Sequence, residues 1–316
     1  MTAAPVRLGL VGCGRLAELG YAPASRAAEG VEIVAVSDPE RERRALLAAK
    51  LGAPAHARVS ELLEATQLDG IVICTPAEQH EEVAAAAARE GVGALVEKPP
   101  APDAAGALRL AALSPTPWIG FNRRFDQGVE LAPSVPRAGE LELRMVLHYR
   151  RRSWRALTRA DDAMLDLAPH LIDLALHLTA AVPLAVRAHA ALERVGIELA
   201  TSRARVSIQC ATDRPHREVV EVLDGGGRRI ARAERGGRVR AVAARLAPGA
   251  HPLVRSLTAQ LEAYARALRG EDPSPLATAG EGAAVMRVLD AARRSDAMGG
   301  DTLPVEGVTV QDVDAP

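Results

Sequence analysis

The chain has 316 residues, too many for one ordinary domain and suited to two, each able to bury a core. It is 48% apolar and 25% charged, as soluble globular proteins are, and its 39 basic and 40 acidic residues leave a formal net charge of −1. That balance excludes a global field for recruiting nucleic acid or an anionic membrane surface. No apolar run reaches membrane-spanning length. The first strand begins near Val6, so no secretory leader is expected and the expected location is cytoplasmic. Cys13, Cys74 and Cys210 are scattered and odd in number, which fits neither a disulfide framework nor a zinc pattern. Only two of the basic residues, Lys50 and Lys98, are lysines. Lysine can give up a proton in a protein site and arginine effectively cannot, so their positions matter.

Over the first 120 residues strands alternate with helices. Val6–Val11, Val31–Val36, Gly70–Cys74, Val92–Val96 and Trp118–Phe121 are short apolar runs rich in Val, Ile and Leu. Pro39–Leu51, His80–Glu90 and Asp103–Leu113 have helical length and composition. Continuous apolar strands separated by helices predict a parallel sheet covered on both faces, hence a doubly wound α/β fold. After Phe125 the rhythm changes. Gly139–Arg150 alternates with a period of two, and a helix is expected around Pro169–Leu178. Val186–Val195, Ala204–Cys210, Glu218–Leu223, Arg228–Ala233 and Val239–Ala243 then read as antiparallel strands. Two helices, Pro252–Leu268 and Gly280–Ala297, and a last short strand at Leu303–Val305 close the chain.

Val11-Gly12-Cys13-Gly14-Arg15-Leu16-Ala17 follows the first strand and opens a helix, a G-x-G-x-x-A pattern. The first glycine permits the tight turn, the second lets backbone approach a pyrophosphate, and the alanine allows close helix–strand packing. Free N–H groups of the helix start, at Arg15 and Leu16, would face the phosphates. Asp38 ends the second strand 21 residues after Ala17, where a carboxylate accepts hydrogen bonds from the adenosine ribose. It favours NAD. Arg41, Arg43 and Arg44 follow closely and keep NADP open, with Arg43 as the cofactor candidate among them. Thr75-Pro76 and His80 stand at the next strand end, outside which open parallel sheets bind ligands. Helix initiation explains Thr75-Pro76 equally well, and His80 is either an exposed first-turn residue or a cofactor contact.

Glu97-Lys98-Pro99 ends a further strand. Pro99 disfavours the α region at Lys98 and holds it extended at the edge that would receive a nicotinamide. Farther on, Asp166, His170, Asp173 and His177 stand at spacings of 4, 3 and 4, a narrow stripe on an ideal helix. Chelation of a metal by His and Asp is weighed against acid–base chemistry. Pro169 is taken to mark the first helical turn, which puts Asp166 in the preceding segment, placed to orient His170. Acid–base use is therefore preferred, with no metal, and Asp173 and His177 serve packing or hydrogen bonding.

Together these residues resemble the glucose-fructose oxidoreductase / inositol dehydrogenase (Gfo/Idh/MocA) family. The matches, in order, are Gly12-x-Gly14-x-x-Ala17, Asp38, Thr75-Pro76 with His80, Glu97-Lys98-Pro99, Gly120-Phe121-Asn122-Arg123-Arg124-Phe125 and Asp166-x-x-x-His170-x-x-Asp173. The stretch from Leu257 to Leu303 is similar to the family's ending, so the resemblance covers nearly the whole chain. It implies a nucleotide-binding Rossmann domain over 1–122 and an α+β domain over 123–316 for substrate and oligomerisation, with a large, mainly antiparallel sheet. Helices within 252–297 would be free to pack back on the first domain. It implies a homo-oligomer, dimer or tetramer, and hydride transfer between NAD(P) and a secondary alcohol or ketone of a sugar, cyclitol or related biosynthetic intermediate. On that pattern His170 exchanges a proton with the reacting hydroxyl, Lys98 hydrogen-bonds the same oxygen, and Asp166 fixes the imidazole. Glu97, Thr75, Pro76 and His80 join the cofactor site.

The chain departs from the family at Asp161-Asp162-Ala163, where a Gly-Gly pair is usual, and at Ala168, where glycine is usual. Both touch the presumed substrate loop. Trp154 is the stacking candidate for a substrate ring, with domain packing as its other reading, and Arg150, Arg151, Arg152 and Arg155 surround it. Two other activities fall within the same resemblance, a redox-neutral NAD-dependent glycosidase and a non-catalytic dinucleotide sensor. The presence of both Lys98 and His170 argues against the sensor.

Overall fold

A computed structural model describes residues 4–150, 162–236 and 251–307. Contacts group the chain into two units, 1–126 with 250–282 and 127–249 with 283–316. Strands and helices are numbered along the chain.

The first unit is built on β1 (Val6–Val11), β2 (Val31–Ser37), β3 (Ala55–His56), β4 (Gly70–Ile73), β5 (Gly93–Glu97), β6 (Trp118–Gly120) and β13 (Ala277–Thr278). Their order across the sheet is β13-β6-β5-β4-β1-β2-β3, all parallel except β13 on β6. The order reverses between β1 and β4, the switch point where doubly wound sheets bind ligands outside the carboxyl ends of their strands. The central strands are apolar throughout because helices cover both faces. Leu8, Leu10, Ile71, Val72, Ile73, Leu95 and Val96 are fully buried. The helices are α1 (Ala22–Ala27), α2 (Arg41–Leu51), α3 (Val59–Ala65), α4 (Ala77–Arg89), α5 (Ala104–Ala111) and, from late in the chain, α8 (Pro252–Leu268). Tyr264 of α8 is fully buried and its hydroxyl donates to the Ile71 carbonyl at 3.3 Å. Gly70 makes room for that ring, since a Cβ there would lie 2.4 Å from the Tyr264 oxygen.

In the second unit β7 (Leu141–His148), β8 (Pro183–Ala191), β9 (Arg194–Thr201), β10 (Ala204–Ala211), β11 (Arg217–Asp224), β12 (Arg229–Gly236) and β14 (Leu303–Pro304) form a sheet ordered β12-β11-β7-β10-β9-β8-β14. Only β10 on β7 is parallel. The alternation expected in β7 is present: Leu141, Leu143, Met145 and Leu147 are buried and Arg144 is exposed. Helix α7 (Ala163–Thr179) packs on β7, β8, β9 and β10, and α6 (Gln127–Leu131) lies against α7. The last helix, α9 (Ala279–Ala297), contains the boundary between the units. Among the described residues no helix is long and apolar enough to cross a membrane.

Two expectations change. Val186–Val195 is not one strand but the end of β8, a two-residue turn at Leu192-Glu193, and the start of β9. No glycine or proline punctuates that turn. The helix expected to open at Pro169 begins six residues earlier, capped by the Asp162 carboxylate, which accepts the Leu165 N–H at 2.7 Å. Pro169 lies inside α7, where its missing N–H withholds one helical bond from the Leu165 carbonyl. Val239–Ala243 lies outside the described residues.

Candidate active site

The glycine loop sits where β1 ends. Gly12 has φ of +91°, and a Cβ on it would stand 2.7 Å from the Cys74 carbonyl and the Thr75 nitrogen. Position 12 therefore requires glycine both for its conformation and for the close approach of the β4 end. Gly14 is different: nothing lies within 4 Å of where its Cβ would be. Its open face leaves backbone free to meet a pyrophosphate. Helix follows at once from Arg15 and Leu16 and widens into a π-helical turn at Ala17–Tyr21, closed by the Ala22 N–H on the Ala17 carbonyl, just before Pro23. The widened turn carries Tyr21 fully buried into the unit.

Asp38, 7% exposed, stands beside the loop at the end of β2. Its Oδ2 accepts the Cys13 N–H at 2.7 Å and its Oδ1 accepts the Glu40 N–H at 2.8 Å. The carboxylate thus fixes the glycine loop and keeps lone pairs for a ribose. Burial and the charge of Asp38 push the Cys13 thiol up to about 12, so it stays neutral in the loop. Arg44 is committed to the main chain, donating to the carbonyls of Pro39 at 2.9 Å and Asp38 at 3.3 Å. Arg41 and Arg43 are exposed on α2.

At the end of β4, Pro76 caps α4, and Thr75 Oγ1 is buried with no hydrogen-bond partner among the described residues. His80 is neither an exposed first-turn residue nor open to a ligand. It is 1% exposed, with Nε2 2.8 Å from the Thr75 carbonyl and Nδ1 3.2 Å from the Pro100 carbonyl. Burial lowers its pKa. The ring pins the β4 end to the segment that follows Lys98. Lys98 itself is half-buried just past β5, with Glu97 buried beside it. The Glu97 carboxylate is turned to Tyr21 and to the Lys98 backbone N–H.

The first unit therefore brings Gly12, Gly14, Asp38, Thr75 and Lys98 to one sheet edge, with Arg15 and Leu16 opening the helix and Pro76, His80 and Glu97 as support. An open cradle at Gly14, the unsatisfied Thr75 hydroxyl and the clamped Asp38 suit a dinucleotide. Tyr21 and Gln260, which complete the buried contacts around Glu97, carry no motif. Their only sequence signal is that aromatic residues are 2% of the chain and one falls just after the glycine motif.

In the second unit Asp166 and His170 stand one turn apart on α7, so Asp166 belongs to the helix and not to a segment before it. Asp166 Oδ2 accepts the Tyr149 hydroxyl at 2.7 Å, a partner that the sequence did not indicate. His170 is 9% exposed, Asp173 is fully buried, and His177 is partly exposed. Ala168 is fully buried in the helix. Trp154, Arg151, Arg152, Arg155 and Asp161 lie outside the described residues.

Residues 6–116 match the family model described as oxidoreductase family, NAD-binding Rossmann fold. An inositol 2-dehydrogenase from Leifsonia xyli is 38% identical over 132 residues, 40% of this chain and 39% of that protein. A longer match, to an inositol 2-dehydrogenase from Ralstonia nicotianae, is 27% identical and covers 55% of this chain and 54% of the relative. The chain thus spans roughly half or less of the curated relatives it matches. Over 96% of its length it has the fold of the myo-inositol dehydrogenase from Lactobacillus casei in complex with NAD(H) and myo-inositol, with a TM-score of 0.78, 16% identity and 97% of that chain covered. Over residues 6–116 the chain is thus similar to the Gfo/Idh/MocA oxidoreductases, through an NAD-binding Rossmann fold.

Proposed function

We propose that this protein is an NAD-dependent oxidoreductase moving hydride between nicotinamide and a secondary alcohol or ketone of a cyclitol, sugar or related polyol. The observation that carries this reading is the sheet order β5-β4-β1, with Lys98, Thr75 and the Gly12–Gly14 loop following the carboxyl ends of adjacent strands. The inositol dehydrogenases among its relatives support the polyol class. On this reading the first unit, 1–126 with 250–282 rather than 1–122 alone, binds the nucleotide, and the second, 127–249 with 283–316, serves substrate binding and assembly into a homo-oligomer.

The Gly14 backbone and the N–H groups at Arg15 and Leu16 hold the pyrophosphate. Asp38 takes the adenosine ribose hydroxyls and disfavours a 2′-phosphate. When bound, the nicotinamide supplies the hydride acceptor or donor. Lys98 presents its ammonium to the reacting oxygen and stabilises the charge that develops there. His170 takes the hydroxyl proton, and the imidazolium formed is favoured by Asp166 one turn away, itself held by Tyr149.

Lys98→Met and His170→Ala should each leave NADH binding within a few-fold and slow hydride transfer by at least ~100-fold, the lower end for an acid–base group. NADH fluorescence titration and single-turnover absorbance measure the two quantities. A Lys98→Met protein working at full speed would sink the assignment.

A further inference from the structure

Glu97 lies at the end of β5, 6% exposed, immediately before Lys98. The Tyr21 hydroxyl donates to its Oε1 at 2.5 Å and the Lys98 backbone N–H to its Oε2 at 3.1 Å. Gln260 of α8 donates from Nε2 to the Tyr21 hydroxyl at 2.7 Å. Tyr21 and Gln260 are each fully buried. The donors run one way, from amide through hydroxyl to carboxylate, an order that suits an ionised Glu97. Burial opposes it and pushes the carboxyl up, while the Tyr21 hydrogen bond and the Lys98 charge pull it down.

Gln260 Oε1 is buried without a hydrogen-bond partner among the described residues. A half-turn of that amide would bring the oxygen to Tyr21. The hydroxyl would then donate to Gln260 and accept from a protonated Glu97. The same three side chains therefore satisfy one another with Glu97 charged or neutral. Among the described residues the other groups facing Glu97 carry no charge. The Cys74 thiol after β4 is pushed well up by burial and by Glu97, the Tyr21 hydroxyl likewise, and β6 offers Gly120, whose Cβ would stand 3.0 Å from Oε1. Lys98 is the charge that Glu97 meets.

We propose that Glu97 is a positioning residue acting through Lys98, and that the buried Gln260–Tyr21 pair lets it hold or release a negative charge beside the lysine. The inference deepens the oxidoreductase reading, on which the role of Lys98 rests, yet it can be tested without turnover.

Lys50, which pairs with Glu18, is the only other lysine, so Lys50→Arg leaves Lys98 as the single side-chain amine. Reductive methylation with 13C-formaldehyde keeps its charge and gives one lysine signal to follow by NMR from acid to neutral pH. In the Lys50→Arg protein that signal should carry an inflection belonging to Glu97. The inflection should vanish on adding Glu97→Gln. On adding Tyr21→Phe it should move up by about one pH unit or more, the size of a lost charge-assisted hydrogen bond. Identical curves for all three proteins would overturn the proposal. Should Tyr21→Phe fail to fold, the near-isosteric Glu97→Gln decides, because an inflection that survives it does not come from Glu97. If the protein folds and titrates as expected but transfers no hydride, the functional reading fails and the coupling stands. Where turnover is measurable, the acid limb of kcat should move up in Tyr21→Phe with KM for NADH unchanged.

Discussion

His80 shows how a residue can be located by sequence while its work is not. The strand-end position was legible from Thr75-Pro76 and the helix after it, but the burial of the ring depends on the Pro100 carbonyl, which packing brings to it. The same limit applies to Asp38, whose place at the end of β2 was readable and whose hold on the Cys13 N–H was not. Burial gives His80 a folded pKa below its ordinary value. The unfolded chain therefore takes up a proton first, so the contribution is whole above about pH 6.5 and drains as pH falls through that value toward the folded pKa. The denaturation midpoint should drop more steeply between about pH 7.5 and 5.5 in the parent than in His80→Gln. His148, lowered by burial and by Arg214 and Arg217, should leave a residual slope in both. Equal slopes would show that His80 is not buried neutral.

At the scale of elements, the parallel strands were the most legible because their apolar runs are continuous and turn residues bound them. β8 and β9 were merged because Leu192-Glu193 carries no turn signature. Pro169 misled for a related reason. Proline favours the first turn of a helix, yet the Asp162 cap and the apolar face of α7 against four strands outweigh one lost hydrogen bond. The far end of α7 is less well served. Ala180 closes the helix with φ of +47°, a conformation that costs a residue with a Cβ about 1–2 kcal/mol, and it is exposed. Glycine removes that cost and returns part of the gain as unfolded-chain entropy. Ala180→Gly should stabilise the protein by about 0.5–1 kcal/mol in urea denaturation. An unchanged or lower midpoint would mean that Ala180 is not held left-handed.

For the whole molecule, motif specificity and fold evidence divide along the chain. The family model covers 6–116, where the glycine loop, Asp38 and Lys98 lie. Asp166 and His170, the proposed acid–base pair, lie beyond it on α7, within the second unit. Two units also contain one inversion that chain order hides: α8 comes late in the sequence and belongs to the first unit, where Gln260 reaches Tyr21. Sequence indicated that late helices could return, but a glutamine in an amphipathic helix gives no sign of its partner 239 residues away. The central claim is hydride transfer itself, and isotope transfer tests it most directly. Protein incubated with NAD and cyclitols or polyols deuterated at their carbinol carbons should yield reduced nicotinamide one mass unit heavier from at least one of them, and Lys98→Met should cut that yield at least ~100-fold. Bound NAD that stays unreduced across the panel, or label that appears equally with Lys98→Met, would contradict the account.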